Sequence, residues 1–215
     1  MICDLSTPIL KKAKIFLRTI PPGKISGIFL QIRFCPLRRA ENCVIIMLYA
    51  NRKGDSDMEY QLREAAASDI PELCRLRLAY FDEEFDSIEP ETLSAIRTSL
   101  PEYFAAHLGK DCFVFAAASP EGGLLSNVIL VVSEKPANPS FPHGRSGYVL
   151  GVFTEESARR QGIASALMQM LLEKAKALRL DTVTLSAGEM GRGIYEKLGF
   201  TVKESHFTEM EWFPA

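Results

Sequence analysis

Residues that mark specialised chains are scarce here. Of 215 residues, five are cysteine, three histidine and one tryptophan. Cys3, Cys35, Cys43, Cys74 and Cys112 are odd in number, and no two stand at CxxC or metal-ligand spacing. That argues against a disulfide framework and a zinc module. The thiols read as reduced side chains of a cytoplasmic protein. His107, His143 and His206 are too scattered to form a metal site, so no metal is expected. Long apolar runs are also missing. The most apolar one, Cys43 to Ala50, falls far short of the ~20 residues that span a bilayer, so no membrane partner is expected. An excess of one charge is absent as well: 25 Lys+Arg face 27 Asp+Glu, a net charge of −2. Such a chain is no polycation for nucleic acid. With 47% hydrophobic and 24% charged residues, the composition is ordinary for a globular protein. The length fits one domain, or one domain with an appendage.

The charge balance is uneven along the chain. Residues 1–57 hold ten basic and four acidic side chains, a net +6, which leaves −8 for residues 58–215. Such asymmetry often marks an attached tail. Residues 1–57 show no sustained hydrophobic period, and Asn51 to Asp57 (NRKGDSD) is a polar, turn-rich break. The expectation is a basic, poorly ordered extension over 1–57 and a domain over 58–215, with Met58 as a candidate native start. The acid-poor first 40 residues would also suit a mitochondrial presequence, whereas Arg18 interrupts any secretory apolar stretch.

Beyond Met58 the pattern is regular. A strand is expected over Glu59–Glu64. A helix follows, with Ser68 as N-cap, Pro71 in the first turn and a stripe of Leu73, Leu76, Leu78 and Phe81. A second helix covers Glu91–Leu108, broken or kinked at Pro101. Cys112–Ala118 and Leu124–Ser133 form a hairpin around the turn Ser119–Gly123. After a Pro-rich loop, Gly147–Thr154 is a strand interrupted by Gly151. From Gly162, the residues Ile163, Leu167, Met170, Leu171 and Leu178 follow a helical period. The strand Thr182–Ser186, the helix Gly191–Leu198 and the strands Phe200–Lys203 and Phe207–Trp212 complete the chain. The order predicts a mixed α/β (α+β) fold, with helices covering a twisted sheet.

Chemistry concentrates in Val152 to Ala164 (VFTEESARRQGIA), where a strand runs through a basic, glycine-containing turn into an amphipathic helix. A helix start exposes unpaired N–H groups and a partial positive charge, which suits phosphate. Gly162 lets backbone approach an anion, Ala164 keeps bulk away, and Arg159 and Arg160 add donors. The pattern is neither a Walker A loop nor GxGxxG. Read alone, it is equally a solvated basic turn.

Arg159-Arg160-Gln161-Gly162-Ile163-Ala164 resembles the R/Q-x-x-G-x-G/A signature of the GNAT superfamily of acyl-CoA-dependent N-acyltransferases. Gly193-Ile194-Tyr195-Glu196-Lys197-Leu198-Gly199-Phe200 is similar to that family's LYEKLGF ending, at the family's distance. The order of elements over 58–213 agrees, and Lys135–Phe141 (KPANPSF) resembles a bacterial subgroup of small GNAT proteins.

The resemblance implies a mostly antiparallel twisted sheet, helices on both faces and a splayed central strand pair. It implies acetyl-CoA as cosubstrate. The amides of Arg160, Gln161, Gly162, Ile163, Ala164 and Ser165 would cradle its pyrophosphate, with Arg159 alongside. Val152 and Thr154 would bond the pantetheine arm through the main chain, and a bulge at Gly151 would aim an N–H at the thioester carbonyl. Tyr195 matches the family's frequent general acid; a phenol near pKa 10 can protonate a thiolate near 8.5. Its alternative is a packed ring. Glu84, Asp86 and Glu189 are candidate bases, though acids at such positions are more often solvated surface charges. Asp82, Glu83, Glu84 and Asp86 could attract a cationic amine, although an acidic run is more often a solvated helix end. The implied function is acetyl transfer to a primary amine of a small molecule or peptide by direct attack. The alternative is a non-catalytic acyl-CoA-binding module on the same fold. Homodimer formation is left open.

Overall fold

The structure, a computed structural model, describes residues 59–204, 208 and 210–213. The expectations for residues 1–57 lie outside the described residues. The elements in chain order are β1 (Gln61–Glu64), α1 (Ile70–Glu84), α2 (Pro90–His107), β2 (Cys112–Ala118), β3 (Leu124–Glu134), β4 (Arg145–Thr154), α3 (Ile163–Ala177), β5 (Thr182–Thr184) and α4 (Glu189–Lys197). The five strands form one sheet in sequential order. The first three pairings are antiparallel and β4–β5 is parallel.

The run CFVFAAA becomes β2, in which every residue is buried. Its side chains alternate between two cores. Phe113, Phe115 and Ala117 face Ile163, Leu167, Met168 and Leu171 of α3. Cys112, Val114 and Ala116 face Leu73 and Leu76 of α1 and Phe104 of α2. A strand covered on both faces needs no polar alternation, which explains the unbroken apolar run. Helices thus lie on both faces, as the resemblance implied.

Local signals place most elements within a few residues. At the start of α1 the N-cap is Asp69, not Ser68. A short 3₁₀ turn over Ala67–Asp69 precedes the helix, and Asp69 closes it by accepting the Ala66 N–H at 2.7 Å. Pro101 lies inside α2 without ending it. Its ring removes one helical N–H, and both Pro101 and Arg97, whose carbonyl loses that donor, are exposed, so water can satisfy the oxygen.

The strand expected over Phe200–Lys203 is not formed. Phe200 turns inward, with its ring 6.1 Å from that of Tyr195, and Val202 is 75% exposed with no partner strand. Of the strand expected over Phe207–Trp212, Phe207 and Glu209 lie outside the described residues. The remainder carries no strand, and Met210 and Trp212 stand in solvent. An extended segment needs a ladder of neighbouring backbone to become a strand, and apolar composition alone does not supply it. Among the described residues, β5 is therefore the last strand. No helix among them is long and apolar enough to cross a membrane.

An ion pair secures the entry to α1. Arg63 on β1 donates to both Asp69 oxygens, which holds that carboxyl below its ordinary value of 3.8 despite partial burial. The folded value is depressed, so the pair's contribution is complete above 3.8 and lost as pH falls through the folded value. Asp69→Asn is expected to cost about 1 kcal/mol in urea unfolding near neutral pH, and almost nothing once the carboxyl is protonated. An equal loss at both pH values would show that the cap geometry, and not the charge, is responsible.

Candidate active site

The sheet opens at one place. β4 and β5 pair only over Ser146–Thr182, Gly147–Val183 and Tyr148–Thr184. β4 then runs on to Thr154, paired to β3 alone, with its other edge uncovered by β5. At the mouth of this opening the Tyr148 hydroxyl lies 3.1 Å from Ser186 Oγ, just past the end of β5. Behind it, Asp181 accepts the backbone N–H groups of His143 and Arg145, tying the start of β5 to that of β4.

Within the open part of β4 the register slips. Ile129 faces Leu150 and Asn127 faces Phe153, so Gly151 and Val152 together oppose Val128. This is a bulge, and Gly151 has φ +67°, a left-handed conformation that glycine adopts without a Cβ penalty. A side chain there would also collide: an ideal Cβ would sit 2.4 Å from Arg77 Nη1. The bulge expected at Gly151 is present.

The far end of β4 leads through a 3₁₀ turn, Glu156–Ala158, to Gly162, which caps α3 at φ +75°. A Cβ at Gly162 would meet nothing within 4 Å, so the backbone there faces open space. The first intrahelical bond runs from the Ala166 N–H to the Gly162 carbonyl. The N–H groups of Ile163, Ala164 and Ser165 precede it and have no helical acceptor. The structure thus joins an open strand edge to an amide-rich helix start, a surface suited to an extended ligand ending in an anion.

The two arginines of the turn separate. Arg159 donates to the Glu83 carboxylate on α1 and, at 2.9 Å, to the Thr154 carbonyl. Arg75 forms a similar tie to Glu155 at 2.6 Å, so two ion pairs clamp α1 to the end of β4. Arg160 is exposed at φ +62° and makes no ion pair among the described residues. Val152 and Thr154 both lie on the open stretch of β4. Gln161 reaches back to the Ser157 carbonyl.

Tyr195 projects from α4 and is half-buried against the α3-side core. Its ring lies over Gly191: a Cβ at that position would be 3.3 Å from the Tyr195 hydroxyl. Burial pushes the phenol pKa up, and nearby Tyr80 of α1 raises it further. Tyr80 is itself raised, first by burial and then by Glu84, and it also senses Tyr148. Tyr148 of β4 and Tyr195 of α4 are thus both within electrostatic reach of Tyr80 on α1. Glu84, Asp86 and Glu189 are all exposed.

Residues 140–214 match the family model described as an acetyltransferase (GNAT) domain. That segment, which holds the end of β4, the glycine turn, α3 and α4, is similar to a GNAT acetyltransferase domain. No curated protein matches its sequence. Solved structures match the GNAT fold broadly. A predicted acetyltransferase with acetyl-CoA from Clostridium acetobutylicum is 23% identical at a TM-score of 0.61, over 71% of this chain and 96% of that one. A GCN5-related N-acetyltransferase from Ralstonia eutropha JMP134 is 25% identical at 0.59, over 70% and 98%. A ribosomal-protein-alanine N-acetyltransferase from Brucella melitensis biovar Abortus is 20% identical at 0.53, over 71% and 99%.

Within this GNAT frame, the sequence reading missed Arg77 and Tyr80. A signal was available, because Arg77 stands four residues after buried Leu73 and one after buried Leu76. A charged residue on that apolar stripe of α1 is the anomaly a helical wheel exposes.

Proposed function

We propose that this chain is an acyl-CoA-dependent N-acetyltransferase that moves the acetyl group of acetyl-CoA to a primary amine of a small molecule or peptide. The observation that carries this reading is the edge of β4, open beyond Tyr148 and ending at the free amides of α3. The family match and the acetyl-CoA named for the Clostridium neighbour support it.

The residues fit the cosubstrate. The open space at Gly162 and the amides of Arg160 to Ser165 suit a diphosphate, with exposed Arg160 as its cation. Arg159 acts through position, holding α1 against β4. Val152 is the better main-chain partner for a pantetheine arm, because the Thr154 carbonyl already accepts from Arg159. Bound acetyl-CoA supplies an activated thioester carbon. The bulge at Gly151 offers its N–H to the carbonyl oxygen, where negative charge grows as the amine attacks. The Tyr195 hydroxyl gives its proton to the departing sulfur, its raised pKa keeping that proton available at neutral pH; the proton lost by the attacking nitrogen passes to water, and the phenolate is reprotonated from solvent.

The test is release of free thiol from acetyl-CoA with a panel of amines, with product masses measured. Acetylated amine in proportion to thiol is expected. Binding without turnover across the panel would favour the non-catalytic module. We further propose a cytoplasmic location and residues 1–57 as an extension outside the domain. A chain starting at Met58 is expected to fold and to bind acetyl-CoA as the full chain does; loss of the fold would place 1–57 within the domain.

A further inference from the structure

Arg77 occupies an unusual position. It projects from α1 into a cavity of about 340 Å³ between α1, α2 and the sheet. Apart from Ser99, the other lining side chains are aromatic or aliphatic, among them Phe81, Leu100, Phe104, Ile129 and Leu150. Among the described residues no carboxylate, carbonyl or hydroxyl accepts from Arg77, and its buried Nη1 has no hydrogen-bond partner. Its contacts are ring faces: the guanidinium carbon lies 4.6 Å from the centre of Phe81 and 5.1 Å from that of Tyr80. Burial without a counter-charge pushes its pKa down.

The other arginines around the opening show that partners are available nearby. Arg75 takes Glu72 and Glu155, and Arg159 takes Glu83. Arg77 takes none. A half-buried guanidinium whose Nη1 is shut off from water without an acceptor is costly, and with ring faces as its neighbours the cost is only partly offset. An anion supplied from outside would remove it, and a planar fork of N–H donors matches a carboxylate. The location limits which anion. Nη1 rests against Gly151, in the space its side chain would fill, at the bulge beside the open edge of β4.

We propose that Arg77 receives a carboxylate of the acceptor, so that the acceptor is an amine with a carboxylate on a neighbouring carbon and an apolar side chain: a hydrophobic amino acid. This rests on the acetyltransferase reading, since an amine attacking at Gly151 places a carboxylate on Arg77 only if the two groups are close together. The apolar lining takes the side chain, and the volume suits a small molecule more than a folded partner.

The test uses the full chain and two uncatalysed probes, N-acetyl-L-phenylalanine and its neutral amide, with affinities measured by calorimetry. The acid is expected to bind at least tenfold more tightly than the amide. Arg77→Met should erase that preference, and Arg77→Lys should keep part of it. Acetyl-CoA affinity should stay within twofold in both variants. Arg77→Met should melt at or above the wild-type temperature, because it removes an unpaired, half-buried charge. Equal binding of acid and amide, binding of neither, a preference that survives Arg77→Met, or a large fall in its melting temperature would each overturn the assignment. The two readings separate cleanly. Acid selectivity through Arg77 without acetyl-CoA binding leaves the anion site standing and removes the transferase. Acetyl-CoA binding without acid selectivity does the reverse.

Discussion

Gly162→Asp is expected to lower acetyl-CoA affinity at least a hundredfold in a protein that still folds. The substitution adds a carboxylate where the backbone would meet a diphosphate. Like charges about 4 Å apart at a protein surface repel by roughly 4 kcal/mol at full strength, and partial screening still leaves about 3. At ~1.4 kcal/mol per tenfold, that is a factor of a hundred or more. Folding should survive because a Cβ at this position meets nothing within 4 Å. The remaining cost is the left-handed backbone at φ +75°, on the order of 1 kcal/mol for a non-glycine residue. Gly162→Ala carries the same backbone cost without the charge, so it should bind far better than the aspartate variant. Equal losses in the two would mean that backbone strain, and not anion repulsion, controls the site. Unchanged affinity in a folded Gly162→Asp protein would remove the proposed cradle.

Tyr195→Phe should lower the rate of the chemical step by about 10²–10³ and leave acetyl-CoA affinity nearly constant. The ring, its edge contact with Phe200 and its packing over Gly191 remain; only the donor is lost. The hydroxyl meets full charge on sulfur only as the bond breaks, so the loss appears in kcat, at roughly 2.7–4 kcal/mol of barrier. Burial, aided by Tyr80, raises the phenol above its usual 10.0. The wild-type acid therefore stays protonated up to and beyond that pH, and a fall in kcat below about pH 9 belongs to another group. A thioester with a more acidic thiol should lose less from the substitution, because its leaving group needs less help. Equal rates for the two proteins, with chemistry limiting, would reduce Tyr195 to a packing residue.

The elements that could be read from the chain were those whose signal is local. CFVFAAA is apolar at every position and becomes a strand buried on both faces. Gly162 precedes a helical period and becomes the cap of α3. The arginines and the glycine of the turn, followed by Tyr195 at the right distance, pointed to the family that the comparison of residues 140–214 supports. The segment after α4 misled because Val202 and Phe200 have the composition of a strand, whereas a strand exists only where backbone lies alongside to pair with it.

The sequence by itself therefore determined the helical periods, the cap of α3 and the pattern of the glycine turn, since each depends on φ, ψ and side chains within a few residues. Tertiary structure decided who meets whom. It stopped β5 after Thr184 and so opened β4. It turned Arg159 toward Glu83, 76 residues away in the chain, when the local pattern grouped it with the anion-binding turn. It set Arg77 against Gly151 and left that guanidinium among rings. These choices depend on which distant surfaces pack together, because an ion pair or a ring contact is worth little until the core has already brought its two halves within reach.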